Sequence, residues 1–164
     1  MNTFKFCPLC GAELADKIEE ETRVRRACTS CAFIHYNNPT PVVAMIVEHE
    51  DDVVLVQNIG WPEKWFGLVS GFLEAGEAPD DGARREVFEE LGVEPDDVSF
   101  IGVYPFAEMN QVIIAYRGVI NAPPVMNTEE LQAIKRVPKS KLRPWPMGTG
   151  AAVVDWIERR KMSS

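Results

Sequence analysis

Residues 71–93, GFLEAGEAPDDGARREVFEELGV, constrain the fold and function of this chain more than any other segment. Glu86, Glu89 and Glu90 lie three and four residues apart, so a helix would place their carboxylates on one face. Like charges at these spacings destabilise a helix, whereas a hard divalent cation such as Mg²⁺ or Mn²⁺ is held by oxygen ligands of this kind. The segment therefore predicts a helix whose acidic face holds a metal ion.

The residues around this run predict where the helix begins and ends. Asp80 or Asp81 would cap its N-terminus, and negative charges suit the first turn. Gly92 is typical of the residue just after a helix C-terminus. An apolar stripe predicts the side that packs on a core; it consists of Ala83, Val87 and Leu91.

The same stretch resembles the Nudix box, a motif of nine specified positions. The matching residues, with no position departing, are Gly71, Glu77, Arg85, Glu86, Val87, Glu89, Glu90, Gly92 and Val93. A solvated acidic helix is the ordinary meaning of a charge run. It would explain the glutamates, but not Gly71, Glu77 and Arg85 at their distances. The motif therefore favours a functional site.

The resemblance implies a divalent-metal-dependent enzyme that hydrolyses the pyrophosphate linkage of a nucleoside diphosphate derivative, with water attacking phosphorus. It implies that Glu86 and Glu90 are metal ligands, and that Glu89 is either a third ligand or the base. Arg85 is expected to pair with Glu77 and to hold the loop against the helix.

Residues outside the helix complete the predicted site. Members of the family often draw a further glutamate from a later loop as base or metal ligand, and we expect Glu129 here, with Glu130 as the alternative. A solvated acidic turn at this position is the competing interpretation. Gly71 is expected beside the substrate, and Trp65 and Tyr104 are expected to stack on its base, although aromatic residues are more commonly buried in a core.

The four cysteines form a second motif, two Cys-x2-Cys pairs. They are Cys7, Cys10, Cys28 and Cys31, with 17 residues between the pairs. This spacing is typical of a four-thiolate Zn²⁺ site, in which two tight turns present four sulfurs to one tetrahedral ion. Two disulfides are disfavoured in a reducing compartment, and a redox pair would need only one such motif. We therefore expect a structural zinc ribbon.

Asparagines and prolines at residues 37–41 predict a linker between a zinc ribbon at 1–38 and a second domain at 39–164. Runs of β-favouring residues predict strands at residues 42–47, 53–57, 98–103 and 111–120. The spacing of apolar residues predicts a helix at residues 148–161. Together with the acidic helix, this order predicts the α/β class. It resembles the Nudix α/β/α sandwich, a mixed sheet between helices.

Charge and hydropathy restrict the partners. The formal net charge of −8 argues against broad nucleic-acid binding, which needs a positive field. No apolar run approaches the ~18 residues of a membrane span, and residues 1–5 lack an apolar segment of signal-peptide type. We therefore expect a cytoplasmic enzyme acting on a small nucleotide. The resemblance also implies a homodimer as one possible assembly.

Two groups within the family carry a four-cysteine ribbon, and they imply different substrates. Residues 68–74, LVSGFLE, resemble the bacterial NADH pyrophosphatases, but residues 102–108, GVYPFAE, keep only an aromatic-Pro-Phe fragment of that group's downstream signature. Length and the Asn-Pro linker resemble more closely the shorter zinc-ribbon pyrophosphatases that act on FAD and ADP-ribose. FAD, ADP-ribose and NADH are therefore the expected substrates. The alternatives are a housecleaning nucleoside triphosphate pyrophosphatase and a non-catalytic nucleotide sensor.

Overall fold

The computed structural model describes residues 4–19 and 23–162, which fall into two compact units within residues 1–39 and 40–164. The division lies one residue after the boundary predicted at residue 38. In the described part of the chain, no helix is long and apolar enough to cross a membrane.

The first unit is a three-stranded antiparallel sheet of β1 (Leu14–Glu19), β2 (Arg23–Cys28) and β3 (Ile34–His35), in that order. Asp16 and Arg26 are partners across β1 and β2, and Arg26 Nη1 lies 2.9 Å from Asp16 Oδ1. Such opposite charges on facing strands stabilise the pairing.

The second unit is a mixed sheet of six strands with two helices. Its elements are β4 (Thr40–His49), β5 (Asp52–Asn58), β6 (Val69–Phe72), α1 (Pro79–Leu91), β7 (Asp96–Phe106), β8 (Gln111–Val119), β9 (Leu131–Pro138) and α2 (Gly150–Met162). The strand order is β7-β8-β4-β5-β9, with β6 beside β4, and β4–β8 is the parallel pair. The predicted α/β class with a mixed sheet between helices is confirmed.

Strand β4 lies inside the sheet and is buried on both faces, because each face of the sheet is covered by a helix. Its odd-numbered residues Val43, Met45 and Val47 belong to the core cluster of α1, which contains Ala83, Val87 and Leu91. The even-numbered side belongs to the cluster of α2; it consists of Val42, Ala44 and Ile46, together with Val153 and Trp156. The helices therefore cover opposite faces, and the predicted stripe of α1 is confirmed.

The start of α1 differs from the prediction. Ala78 is the N-cap residue, with extended backbone and no side-chain capping bond, and Pro79 is the first helical residue. Proline suits this position because the first N–H groups of a helix have no intrahelical acceptor. Asp80 and Asp81 therefore lie in the first turn and do not cap the helix. Gly92 ends the helix as predicted, with φ 65° and its N–H bonded to the Phe88 carbonyl.

Strand β9 was absent from the predicted elements. It forms an edge of the sheet beside β5 and carries Lys135 and Arg136 before its terminal Pro138. Charged residues and proline are frequent on edge strands because one side of the strand has no partner to bond. The sequence did not predict a strand here because lysine and proline are depleted in central strands.

Candidate active site

The carboxylate of Glu86 lies directly against the backbone of Gly71. A Cβ atom built at residue 71 would lie 2.1 Å from the Glu86 carboxylate carbon, a separation that real Cβ atoms do not show. Gly71 belongs to β6, which pairs with β4 through Val43. A side chain at residue 71 would displace the Glu86 carboxylate, so glycine keeps this place beside the strand open for it.

Arg85 holds the loop before α1 against the helix, as predicted. Its Nε lies 2.9 Å from Glu77 Oε1, and its Nη2 donates to Glu77 Oε2 and to the Phe72 carbonyl, both at 3.1 Å. Its Nη1 donates to Glu86 Oε1 at 2.7 Å and to Glu89 Oε2 at 2.9 Å. The planar guanidinium can make these bonds at once because its donors are fixed in a fork.

This pairing also changes the acidity of Glu77. Hydrogen bonds from Arg85 and from the Glu74 N–H hold the pKa of the Glu77 carboxyl below its ordinary value. Gly82 leaves space for this carboxylate, since a Cβ at residue 82 would lie 2.7 Å from Glu77 Oε2. Glu77 is therefore an ionised anchor of the loop.

Glu90 is the most deeply buried carboxylate of the helix. It is 2% exposed, and its Oε2 has no hydrogen-bond partner among the described residues. Burial, reinforced by the charges of Glu86 and Glu130, raises the pKa of Glu90 to about 8, although the Ser70 N–H opposes this shift. Burial likewise raises the pKa of Glu86 against the opposing effect of Arg85. A carboxylate oxygen buried without a partner requires a cation or a proton.

The donor atoms of α1 suit Mg²⁺ or Mn²⁺ by their chemistry, while Glu86, Glu89 and Glu90 do not converge as closely as the four cysteines do in the described residues. All ligand candidates are carboxylate oxygens, which hard divalent cations prefer, and the unpartnered Glu90 Oε2 supplies an acceptor that nothing else in the described residues uses. Arg85 Nη1 is bonded to both Glu86 and Glu89, and its positive charge offsets the repulsion between them. Glu89 is exposed, so it can reach a ligand from the solvent side.

The loop before β9 is fastened to the end of α1 and brings one more glutamate to the site. The N–H groups of Val125 and Asn127 donate to the carbonyls of Leu91 and Glu90 at 2.8 and 3.0 Å. Of the two predicted candidates, Glu130 is the one whose charge raises the pKa of both Glu86 and Glu90. Glu129 is exposed, and its N–H is bonded to the Asn127 side chain. Sequence spacing could not separate the two because they are adjacent.

The two aromatic residues predicted to stack on the substrate base, Trp65 and Tyr104, lie in different parts of the second unit. Trp65 is 57% exposed in the loop between β5 and β6, and the Ile59 N–H of this loop donates to the Glu130 carbonyl at 2.9 Å. Tyr104 instead packs with the α2 cluster and donates its hydroxyl to Asp155 Oδ2 at 2.6 Å. Because α1 covers the opposite face, Tyr104 does not lie with the glutamates. Trp65 lies in a loop that is bonded to the Glu130 segment, and its stacking on a base stays a prediction.

The four cysteines converge as predicted. Their sulfur atoms all lie within 4.8 Å of one another, and the closest pairs are 3.5–3.7 Å apart without a disulfide. A tetrahedral zinc ion with Zn–S bonds of about 2.3 Å separates its sulfurs by about 3.8 Å. The arrangement therefore fits a structural Zn²⁺. Within residues 4–19 and 23–162, this is the one group of three or more metal-ligating side chains that converges so closely.

Comparison with known families gives two matches. Residues 38–155 match the model described as the NUDIX domain, and residues 5–37 match the zinc-ribbon model described as the Nudix N-terminal region. A crystal structure of a NUDIX hydrolase from Nitrosomonas europaea is similar over 98% of this chain and 94% of that chain, with 26% identity and a TM-score of 0.76. The similarity includes both units of the chain.

Two curated relatives are named for a capped RNA. The chain is 28% identical over 114 residues to the NAD-capped RNA hydrolase NudC of Vibrio parahaemolyticus, covering 70% of this chain and 43% of that protein. It is 35% identical over 120 residues to the human NAD-capped RNA hydrolase NUDT12, covering 68% and 26% respectively. The chain therefore spans less than half the length of either relative.

Proposed function

This chain belongs to the NUDIX domain family, and on that premise we propose that it hydrolyses the pyrophosphate linkage of a nucleoside diphosphate derivative, with FAD, ADP-ribose and NADH as the leading substrates. The observation that carries the proposal is the pair of buried carboxylates, Glu86 and Glu90, of which Glu90 has an oxygen without a partner in the described residues. Such a pair is costly to bury unless a cation compensates the charge.

Glu86, Glu90 and the exposed Glu89 form the proposed ligand set for Mg²⁺ or Mn²⁺. When bound, such an ion lowers the pKa of a water molecule and neutralises the phosphate oxygens that the glutamates would otherwise repel. Arg85 acts through its contacts: it fixes Glu86 and Glu89 and ties the Glu77 loop to the helix. It is therefore a positioning residue.

We assign proton transfer from the attacking water to Glu130. Its loop is bonded to the end of α1, and its charge acts on both buried glutamates. A carboxylate close to the metal ligands, and not itself required by the packing, suits a general base. Glu89 remains the alternative base, since it is exposed and attached to Arg85.

The relatives and the site support a nucleoside diphosphate derivative over a nucleoside triphosphate. Both relatives are named for a cap made of NAD, whose two nucleotides are joined by a diphosphate. Trp65 lies in the loop bonded to Glu130 and offers an exposed aromatic face on which a base or flavin ring can stack. Gly71 keeps the backbone beside Glu86 accessible to the diphosphate.

The test is hydrolysis by the zinc-loaded protein with Mg²⁺ over a panel of FAD, ADP-ribose, NADH, NAD and nucleoside triphosphates. We expect one of FAD, ADP-ribose and NADH to be preferred by at least tenfold in kcat/KM, which is about 1.4 kcal/mol of transition-state discrimination. Preference for a triphosphate would overturn the substrate assignment. Binding without turnover of any compound would instead support a nucleotide sensor.

A further inference from the structure

Positive charge is concentrated at the end of this acidic chain. Residues 131–164 contain eight of the 17 lysines and arginines but two of the 25 aspartates and glutamates. This stretch therefore carries a formal charge of +6, while the preceding 130 residues carry −14. The net charge of −8 describes neither part, so the binding of a polyanion depends on the charge of the local surface.

The structure gathers these cations around a groove of about 730 Å³. One wall is the segment after β9, with Lys139, Ser140 and Arg143, and the other is the outer side of α2, with Arg160 and Lys161. Arg160 joins the walls because its guanidinium stacks on the Trp156 ring and its Nη1 donates to the Lys139 carbonyl. We name this feature the α2 groove.

Helix electrostatics account for only part of this cluster. Cations in the last turn of α2 offset the negative end of the helix dipole, which explains Arg159, Arg160 and Lys161. It does not explain Arg143 on the facing wall. Lys139 has a partner of its own, since its Nζ lies 2.7 Å from Glu48 Oε2. Arg143 donates to the Ser140 and Leu142 carbonyls, which leave its charge uncompensated. Arg143 and Lys161 are therefore the groove cations that a phosphate can engage most directly.

The floor of the groove is apolar. It is formed by Leu142, Pro144, Val154 and Ile157, and one acidic residue, Glu158, also lines the groove among the four cations. Cationic walls over an apolar floor suit a chain that carries regularly spaced anions on one side and less polar groups on the other. A single-stranded nucleic acid has this form, with phosphates along one edge and sugars and bases along the other.

We propose that the α2 groove binds the phosphodiester backbone of a single-stranded RNA. Both curated relatives are named for a substrate that includes an RNA chain, and a polyanion is repelled by the rest of this molecule. Arg143 and Lys161 contact the phosphates, since guanidinium and ammonium groups are the usual phosphate ligands. This binding is separate from hydrolysis because the phosphodiester backbone of RNA contains no pyrophosphate linkage.

The test is fluorescence anisotropy of the zinc-loaded protein with an uncapped, labelled oligouridylate of about 16 nucleotides. We expect a Kd of roughly 10⁻⁶–10⁻⁴ M that weakens steeply between about 50 and 200 mM salt. The double variant Arg143→Glu/Lys161→Glu should bind at least tenfold more weakly and with a flatter salt dependence. Lys161→Glu alone should show part of the loss and leaves the Arg143 bonds to the Ser140 and Leu142 carbonyls intact.

The matched control is Lys5→Glu/Arg23→Glu, which makes the same change of charge in the first unit. We expect it to bind RNA as the unmodified protein does. Equal losses in the two double variants, or no RNA binding at about 50 mM salt, would overturn the proposal. Stronger binding of a polyglutamate of equal charge would also overturn it, in favour of an acidic protein partner. Uncapped RNA cannot report on pyrophosphate hydrolysis, so failure here is distinguishable from failure of the proposed function.

Discussion

The three glutamates of α1 are chemically identical but have different surroundings. Glu90 is buried without a partner for one oxygen, Glu86 is buried against Gly71, and Glu89 is exposed on Arg85. Surroundings of this kind separate the acidities of identical carboxyl groups and thereby their roles. The residue scale is thus where metal ligand, positioning group and base become distinguishable.

Glu90→Gln should stabilise the protein in Mg²⁺-free buffer. The pKa of Glu90 is raised from 4.5 to about 8 by burial and by the charges of Glu86 and Glu130. Its contribution to stability is therefore greatest below pH 4.5 and is lost as the pH rises through about 8. At pH 7 the glutamine should add about 1–3 kcal/mol, measured by urea unfolding, while hydrolysis is abolished. A destabilised variant would contradict this account; the exposed Glu89→Gln is the control.

Glu130→Gln should lower kcat/KM by at least about 10²-fold, the usual contribution of a general base. The adjacent Glu129→Gln should stay close to the unmodified enzyme, because Glu130, and not Glu129, acts by its charge on Glu86 and Glu90, and the Glu129 N–H is bonded within its own turn. Steady-state rates across pH would show the loss of the basic group in the first variant alone. Equal effects in both variants would remove Glu130 as the base.

At the scale of elements, the site depends on how a loop, a strand and a helix are tied together. Five hydrogen bonds of Arg85 join α1 to Glu77, to the Phe72 carbonyl and to two of its own glutamates. The helix is thereby fixed over β6, and its carboxylates are held in register with Gly71. The spacing of the box reflects this geometry.

Arg85→Lys should lower kcat/KM by about 10–100-fold, the range for residues that orient metal ligands. A lysine cannot bond Glu77 in two places and reach the helix glutamates at once. Arg84→Lys is the matched control, since Arg84 makes one bond, to the Pro95 carbonyl at 2.6 Å. Comparable losses of kcat/KM in the two variants would show that the several simultaneous hydrogen bonds of the Arg85 guanidinium are not what the reaction requires.

A second buried carboxylate links β4 to α2 and sets the acid stability. Glu48 accepts bonds from Arg117, Lys139 and Trp156 at 2.7–3.0 Å. Burial alone would raise the pKa of Glu48, but these three donors outweigh it and lower the pKa to about 2. The stabilisation is therefore present above the ordinary value of 4.5 and is lost as the pH falls through about 2.

Glu48→Gln should cost roughly 3 kcal/mol at pH 7, because Arg117 and Lys139 lose their counter-charge. The difference from the unmodified protein should shrink below about pH 4, as measured by urea unfolding at several pH values. Glu50→Gln, which removes an exposed partner of Arg136, should change stability far less. A pH-independent difference would contradict the proposed role of ionised Glu48.

Periodicity and turn chemistry predicted most of the elements, since long apolar runs and the helix stop at Gly92 are local signals. The predicted N-cap of α1 was wrong because Pro79 occupies the first helical position, so that Asp80 and Asp81 lie in the first turn. Strand β9 was missed because its edge position is decided by the whole sheet. For the same reason the sequence could not show that Tyr104 lies on the α2 face or that Glu130 acts on the buried glutamates.

At the scale of the whole molecule, charge and metal chemistry are divided along the chain. The four cysteines form a zinc-binding cluster in the first unit, the carboxylates occupy one face of the second, and the α2 groove lies on the other face. The two proposals therefore place the metal-assisted reaction and the binding of a negatively charged chain on separate surfaces. Net charge could not reveal this because it sums over both surfaces.

The most direct test of the central claim is the hydrolysis rate of ADP-ribose as a function of Mg²⁺ concentration, for the zinc-loaded protein and for Glu86→Gln/Glu90→Gln. We predict no turnover without added Mg²⁺, a rate that saturates as Mg²⁺ rises, and an inactive double variant at every concentration, because the buried carboxylates hold the ion. Turnover that does not require Mg²⁺, or that survives the loss of both glutamates, would contradict the assignment of α1 as the metal-binding catalytic helix.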